Sequence, residues 1–270
     1  MTIAEAIAAA RARGLDRLDA QLLIAHVTGH GRAWQIAHGD ARLDAGMRER
    51  LAVLIDRRAA GEPLAYLVGE KEFHGLVLKV DRNVLVPRPE TELLVGWAIE
   101  LLRNATAAPR VIDLGTGSGA IALAVQHACR TAEVLAIDAS DAALAVARTN
   151  AERLELPVRF ERGSWWQAAG TALFDLALSN PPYIADADPH LPALRHEPAA
   201  ALTPGASGLE ALVQIVEDAP AHLAAGAWLL LEHGHDQGDA VRALLARHGF
   251  RDVQTRRDLA GLPRCTGGRR

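Results

Sequence analysis

Arg110-Val111-Ile112-Asp113-Leu114-Gly115-Thr116-Gly117-Ser118-Gly119 decides the fold. Its first half is an apolar run of strand length, its second half a glycine turn, and Ala120 to His127 continue as an apolar helix. Glycines there permit positive φ and a close backbone approach, with N–H groups offered to a ligand at the helix start. Alone the pattern is ambiguous, because Gly115, Gly117 and Ala120 also satisfy the dinucleotide fingerprint. No Gly-Lys-Ser/Thr follows the loop, which argues against a kinase-like phosphate site. Further on, Ala132 to Asp138 reads as a second strand ending in an acid, where a carboxylate can accept from both ribose hydroxyls. Strand, glycine loop, helix, strand and terminal Asp138 imply an α/β domain holding an adenosine-type cofactor. Asp113, an acid just before the turn, would repel a pyrophosphate but suits a cationic amino-acid tail, such as that of S-adenosylmethionine. Trp165, in Gly163-Ser164-Trp165-Trp166, is either one wall of an adenine slot or a core aromatic.

A second decisive stretch is Phe174-Asp175-Leu176-Ala177-Leu178-Ser179 running into Asn180-Pro181-Pro182-Tyr183. Two prolines cannot donate ladder hydrogen bonds, so the strand stops, and Asn180 is held extended at its carboxyl end. Open α/β sheets bind ligands there. The Asn180 carboxamide oxygen and the Pro181 carbonyl can together grip both hydrogens of a planar NH2 group. Such a grip aims a weakly nucleophilic nitrogen at an electrophile and favours its developing positive charge, without a general base. Tyr183 would add an aromatic wall. The sulfonium methyl of S-adenosylmethionine is a suitable electrophile. The bland alternative is a strand followed by a Pro-Pro turn.

The remaining chain sets bounds. Its 270 residues, 50% hydrophobic and 23% charged, suffice for one large core and one smaller one. A net charge of −4 argues against a surface that tracks nucleic-acid phosphates. Cys129 and Cys265 have neither metal-ligand nor disulfide spacing, which fits a reducing cytosol. The start, Met1-Thr2-Ile3-Ala4-Glu5, lacks a signal-peptide pattern, and no apolar run is long enough to span a membrane. A soluble, cytoplasmic protein is expected. Residues 1–72 carry helical periodicity, opened by a Thr2/Glu5 capping box. They read either as a stabilising bundle or as a partner-recognition domain. Phe73, Leu76, Leu78, Val80 and Val84 suggest a β-hairpin linker over 73–86. Pro87-Arg88-Pro89-Glu90-Thr91-Glu92 then leads into a helix through Leu101, and Arg88 and Glu90 are candidates for the mouth of the site facing Asn180. Residues 186–204 predict a loop; His190, His196 and Glu197 there fit no common metal-ligand spacing and read as solvated, so no metal is expected. Leu209 to Leu223 and Asp236 to His248 predict helices, Ala227 to Leu231 and Phe250 to Arg256 strands.

Asp113-Leu-Gly-Thr-Gly-Ser-Gly-Ala-Ile-Ala-Leu123, Asn180-Pro-Pro-Tyr183, Pro87-Arg-Pro-Glu-Thr-Glu92 and Leu229-Leu-Leu-Glu-His-Gly234 with Gln237-Gly238, behind a helical N-terminal segment, resemble the peptide chain release factor N(5)-glutamine methyltransferases, the HemK/PrmC family. The likeness spans almost the whole chain. It implies a class I S-adenosylmethionine-dependent methyltransferase over 87–270, with a Rossmann-like seven-stranded sheet whose last strands form an antiparallel edge. The implied substrate is the glutamine of Gly-Gly-Gln in bacterial-type release factors, and the implied product of the cofactor is S-adenosylhomocysteine. By position, Gly115, Thr116, Gly117, Ser118 and Gly119 resemble the methionine-binding loop, Asp138 the ribose-binding acid and Trp165 the aromatic beside adenine. Asn180, Pro181, Pro182 and Tyr183 match the glutamine-binding motif, with Asn180 also near the cofactor. Arg88 and Glu90 lie in the family's proline-rich segment. Ser207 and Leu262-Pro-Arg-Cys-Thr266 depart from the family pattern, outside the chemistry.

Three functions are weighed. The first is a release-factor glutamine methyltransferase acting as a monomer in translation termination, without sequence-specific nucleic-acid binding or membrane contact. The second is a ribosomal-protein glutamine or adenine amino-methyltransferase. The third is a cofactor-binding module that docks without turnover.

Overall fold

The computed structural model describes residues 1–103 and 108–270. The chain divides into two compact units, Met1–Glu70 and Lys71–Arg270. In the first, helices α1 (Ile3–Ala12), α2 (Arg17–Thr28), α3 (Arg32–Ala37), α4 (Ala45–Ala59) and α5 (Leu64–Val68) follow one another. Their starts are written in the sequence. Thr2 and Glu5 form the reciprocal capping box expected of them, and Asp16 and Asp44 cap α2 and α4 by accepting backbone N–H bonds. Ile3, Leu23, Ile24, Leu51 and Ile55 meet in one core.

A tight hairpin comes next, β1 (Glu70–Phe73) and β2 (Leu76–Lys79), turned at His74 and Gly75, both at positive φ. It is shorter than the periodicity predicts. After Lys79 the chain makes an Asx turn, Asn83 N–H donating to Asp81 Oδ1 at 2.8 Å, so Val80 and Val84 are buried from a loop rather than from a strand.

The larger unit continues with α6 (Thr91–Leu102), β3 (Arg110–Leu114), α7 (Ala120–Ala128), β4 (Glu133–Asp138), α8 (Asp141–Leu154), β5 (Arg159–Arg162), β6 (Phe174–Ser179), α9 (Glu210–His222), β7 (Leu223–Glu232), α10 (Gly238–Arg247), β8 (Arg251–Arg257) and β9 (Pro263–Arg269). The sheet order is β5-β4-β3-β6-β7-β9-β8, parallel except for β9, which runs antiparallel to both its neighbours. Period-two alternation splits the central strands between two cores. Val111, Val134, Leu176, Leu178 and Leu230 face the core of α6 and α7; Ile112, Leu135, Ala177, Leu229 and Leu231 face that of α9. This is the class I methyltransferase sheet. Among the described residues no helix is long and apolar enough to cross a membrane.

The strand-by-strand reading misses β9. Pro263-Arg-Cys-Thr-Gly-Gly-Arg269 has little β propensity, its proline and two glycines being depleted in strands. Packing requires those glycines: a Cβ on Gly267 would intrude on Leu230 and lie 2.9 Å from the Trp97 ring. Gly267→Ala should therefore lower the unfolding free energy by about 1 to 3 kcal/mol. On α6, where a Cβ at Gly96 meets nothing within 4 Å, Gly96→Ala should raise it by roughly 0.5 to 1 kcal/mol. Urea denaturation of the two variants reads the difference, and equal midpoints would contradict this packing.

Candidate active site

Strand β3 has β4 on one side and β6 on the other, so the connections leave it in opposite directions and a crevice opens at the carboxyl ends. A cavity of about 280 Å3 occupies it. Of the predicted site residues, Arg88, Gly115, Thr116, Gly117, Ser118, Asp138, Trp165, Asn180 and Pro182 line this cavity; Thr91, Pro198 and Ala201 join them. Glu90, Asp113, Gly119, Pro181 and Tyr183 are not among the lining residues.

The glycine loop is built differently from its sequence expectation. Gly115 and Thr116 N–H both donate to the Ile137 carbonyl, at 2.8 and 2.9 Å, and Gly117 N–H donates to Asp138 Oδ2 at 2.8 Å. Those groups, expected to face a ligand, instead join the loop to the end of β4, where a strand-end carbonyl needs a partner. What the loop contributes is closeness. Gly115 sits at φ +76°, and a Cβ there would lie 3.3 Å from the Trp165 ring. The two tryptophans separate the two roles left open by the sequence: Trp165 lines the cavity, while Trp166 is buried in the core and donates its indole N–H to Ile215.

Asp113 is a correction. It is fully buried beneath the loop, its Oδ2 accepting from Thr116 Oγ1 at 2.6 Å and from Ala122 N–H at 3.3 Å, and it does not reach the cavity wall. Burial pushes its pKa up to about 7. Asn150 anchors the other side of the loop. Its amide donates to the carbonyls of Ser118 and Lys79 and accepts from Lys79 N–H, which ties β2, α8 and the loop together.

Strand β6 ends as expected. Ser179 Oγ donates to the Leu114 carbonyl at 2.6 Å, locking the ends of β6 and β3 together. Asn180 Nδ2 donates to Thr91 Oγ1 at 3.1 Å. Among the described residues, neither Asn180 Oδ1 nor the Pro181 carbonyl accepts a hydrogen bond. Beyond the prolines, Gln237 Nε2 donates to the carbonyls of Tyr183 at 3.0 Å and Gly208 at 3.3 Å, fixing where the chain goes next.

Tyr183 is a second correction. Rather than walling the cavity, it packs on the core of α9 and donates its hydroxyl to Glu232 Oε1 at 3.4 Å. Burial and the neighbouring carboxyl hold that hydroxyl protonated far above the ordinary phenol range. Glu232, at the end of β7, is itself buried, which pushes its pKa up to about 7. Glu197 is the third correction. It is buried rather than solvated, paired with the Arg88 guanidinium and accepting from Val86 N–H at 3.0 Å, so it fastens the 186–204 loop to the proline-rich segment. Nothing in the local sequence signals that pairing, since its partners lie 109 and 111 residues away. Thr91, Asn150 and Gln237 are likewise absent from the predicted site. Glu232 carries one usable signal, an acid closing an apolar strand.

Residues 2–69 match the PrmC N-terminal domain and residues 91–205 the methyltransferase small domain. A methyltransferase from Pyrococcus furiosus shares the fold with a TM-score of 0.54 at 19% identity, over 84% of this chain and 98% of that one. Fold, cavity and domain match define a class I methyltransferase. The release factor glutamine methyltransferase of Bordetella pertussis is 50% identical over 258 residues, covering 94% of this chain and 95% of that protein. That of Burkholderia pseudomallei is 48% identical over 268 residues, covering 96% and 94%. The chain belongs to the release factor glutamine methyltransferase family.

The buried acid makes a prediction about pH. The pKa of Asp113 rises from 3.8 in the unfolded chain to about 7 in the fold, so between those values the unfolded state loses a proton that the folded state keeps. Its contribution is therefore full below the lower value and declines as pH climbs through that window. Asp113→Asn, which stays neutral, should flatten the decline, as read by urea unfolding across pH 4 to 7. Parallel curves for variant and wild type would contradict the assignment.

Proposed function

We propose that the protein transfers the methyl group of S-adenosylmethionine to the side-chain amide nitrogen of the glutamine in the Gly-Gly-Gln motif of peptide chain release factors, with S-adenosylhomocysteine as the other product. The relatives at 50% and 48% identity are named release factor glutamine methyltransferases. The single observation that carries the mechanism is the orientation of Asn180: its NH2 is taken by Thr91, and among the described residues neither its oxygen nor the Pro181 carbonyl has a partner.

The residues present fit the cofactor. Trp165 offers a flat apolar face against the Gly115 backbone, Asp138 still has acceptor capacity at the end of β4, and Arg88 and Asn180 close the far side. When bound, S-adenosylmethionine supplies a sulfonium methyl as electrophile. We assign Gly115 to Gly119, Asp138 and Trp165 to holding it. Asp113 acts from below by fixing Thr116 and the start of α7.

In the reaction, Asn180 Oδ1 and the Pro181 carbonyl accept the two hydrogens of the substrate amide. With S-adenosylmethionine bound, that grip would aim the nitrogen lone pair at its methyl group and would stabilise the charge developing on nitrogen as the N–C bond forms and the S–C bond breaks. The nitrogen then releases one proton to water. Pro182 shapes the pocket wall, and Tyr183 holds the turn through its hydroxyl. Arg88, paired with Glu197, and Glu90 are assigned to the approach of the peptide. The N-terminal helical unit, Met1–Glu70, is assigned to recognising the release factor, a protein rather than a nucleic acid, and the active species is a monomer.

The test incubates the purified protein with methyl-labelled S-adenosylmethionine and a release factor bearing Gly-Gly-Gln or Gly-Gly-Ala, with DNA and ribosomal protein as separate acceptors. Label should enter the Gly-Gly-Gln form alone. Asn180→Ala should lower kcat about a hundredfold or more while leaving the fold intact by circular dichroism. Label on DNA or ribosomal protein, or full activity of the variant, would overturn the reading.

A further inference from the structure

One wall of the cavity is held differently from the rest. Pro198, Ala200 and Ala201 line it from the segment 186–204, and Leu85, Pro87 and Arg88 from the proline-rich stretch. Across 186–201 Glu197 is the one buried residue, and it is a charged one. A segment that buries so little apolar surface opens at low free-energy cost unless something else holds it. Charge supplies a hold here. Glu197 Oε2 accepts from Val86 N–H at 3.0 Å, and Oε1 accepts from the Arg88 guanidinium, so both oxygens are taken by the other wall. The ends of the segment are pinned separately, Ile184 N–H donating to the Leu202 carbonyl and Asp186 N–H to the Gly205 carbonyl, each at 3.0 Å. Between them, the backbone N–H groups of Asp188, Leu191, Ala193 and Glu197 close short turns inside the segment. It can therefore swing about its ends without unmaking those turns. The cavity, at about 280 Å3, is just below the roughly 300 to 1,000 Å3 of sites that enclose a small molecule. With the glycine loop bonded to the end of β4, the wall best able to yield is this one.

We propose that residues 186–204 form a strap that lifts to admit S-adenosylmethionine and to release S-adenosylhomocysteine, with Glu197 as its latch on Val86 and Arg88. A carboxylate suits a latch that opens once per turnover. When the strap lifts, Glu197 and Arg88 regain the hydration that burial took from them, whereas an apolar side chain would lose its burial with no such return. Entry and exit pass the same strap, so the strength of the latch sets both rates together. Glu197 is a positioning residue, since it is not among the residues that line the cavity and acts through the strap and Arg88.

This inference rests on the S-adenosylmethionine reading for its ligand arm, and a proteolysis arm is independent of it. Trypsin cuts after arginine, and Arg195 is exposed two residues before the latch. Wild type, Glu197→Ala and Glu197→Gln are compared as full chains. Without ligand, cleavage at Arg195 should quicken about tenfold or more in Glu197→Ala, while cleavage elsewhere in the chain stays at the wild-type rate. S-adenosylhomocysteine should slow the cut in wild type. Stopped-flow tryptophan fluorescence, with Trp165 in the cavity wall, should show S-adenosylhomocysteine both associating and dissociating about fivefold or more faster in Glu197→Ala. Glu197→Gln, which keeps an acceptor for Val86 N–H without the charge, should fall between the two. Faster dissociation with slower association marks a damaged wall rather than a released latch and would overturn the proposal. So would unchanged cleavage at Arg195. Should Glu197→Ala fail to fold, wild type decides: protection of Arg195 by S-adenosylhomocysteine supports the strap, and cleavage indifferent to it overturns the strap. Should wild type bind no S-adenosylhomocysteine, the cofactor reading fails and ligand-free cleavage of the variants alone decides the latch.

Discussion

Strand β6 cannot run on past Asn180, because the two residues that follow it, Pro181 and Pro182, are prolines with no N–H to give. That one constraint organises the larger unit. It halts the chain at the carboxyl end of a central strand, beside the turn after β3, and Ser179 ties the two strand ends together. It leaves the Pro181 carbonyl outside any ladder and holds Asn180 within reach of both Thr91 and the cavity. The consequences of the halt are then managed from behind: Gln237 receives the chain at Tyr183, and Glu232 receives the Tyr183 hydroxyl. A stop in one strand thereby sets Asn180 at the crevice, with the Pro181 carbonyl next to it in the chain.

Opposite, the glycine loop is held by an equal density of bonds. Its N–H groups go to Ile137 and Asp138, its underside to Asp113, and its far end to Asn150. A loop so committed does not need to reorganise when a ligand enters the cavity that it lines with Trp165, and the ordering cost of binding falls on the ligand rather than the protein. Burying Asp113 and Glu232 works against stability at neutral pH, where each carboxyl would otherwise ionise in water. In both cases the buried acid takes a hydroxyl, that of Thr116 at Asp113 and that of Tyr183 at Glu232.

The parts of this arrangement legible in the sequence are those written in local pattern. Apolar runs of strand length, a glycine turn and a terminal acid gave β3, β4 and their connection, and Asn-Pro-Pro-Tyr gave the end of β6. Long-range partners were not legible. Glu197 reads as one more polar residue in a loop until Arg88 and Val86 are brought to it from over a hundred positions earlier. Tyr183 reads as a wall because nothing local shows that a buried acid will claim its hydroxyl. β9 hides behind Gly267-Gly268, whose bareness is demanded by Leu230 and Trp97 in other elements. The glycine turn stands between β3 and α7 where the sequence puts it, yet the N–H groups that the pattern offers to a ligand are claimed first by neighbouring strand ends.

A crystal structure of the protein with S-adenosylhomocysteine and a Gly-Gly-Gln peptide tests the central claim most directly. The account predicts the glutamine side-chain nitrogen within hydrogen-bond distance of both Asn180 Oδ1 and the Pro181 carbonyl, about 2.7 to 3.2 Å, with Asn180 Nδ2 still on Thr91. A glutamine bound with its oxygen toward Asn180, or a nitrogen touching neither acceptor, would contradict it.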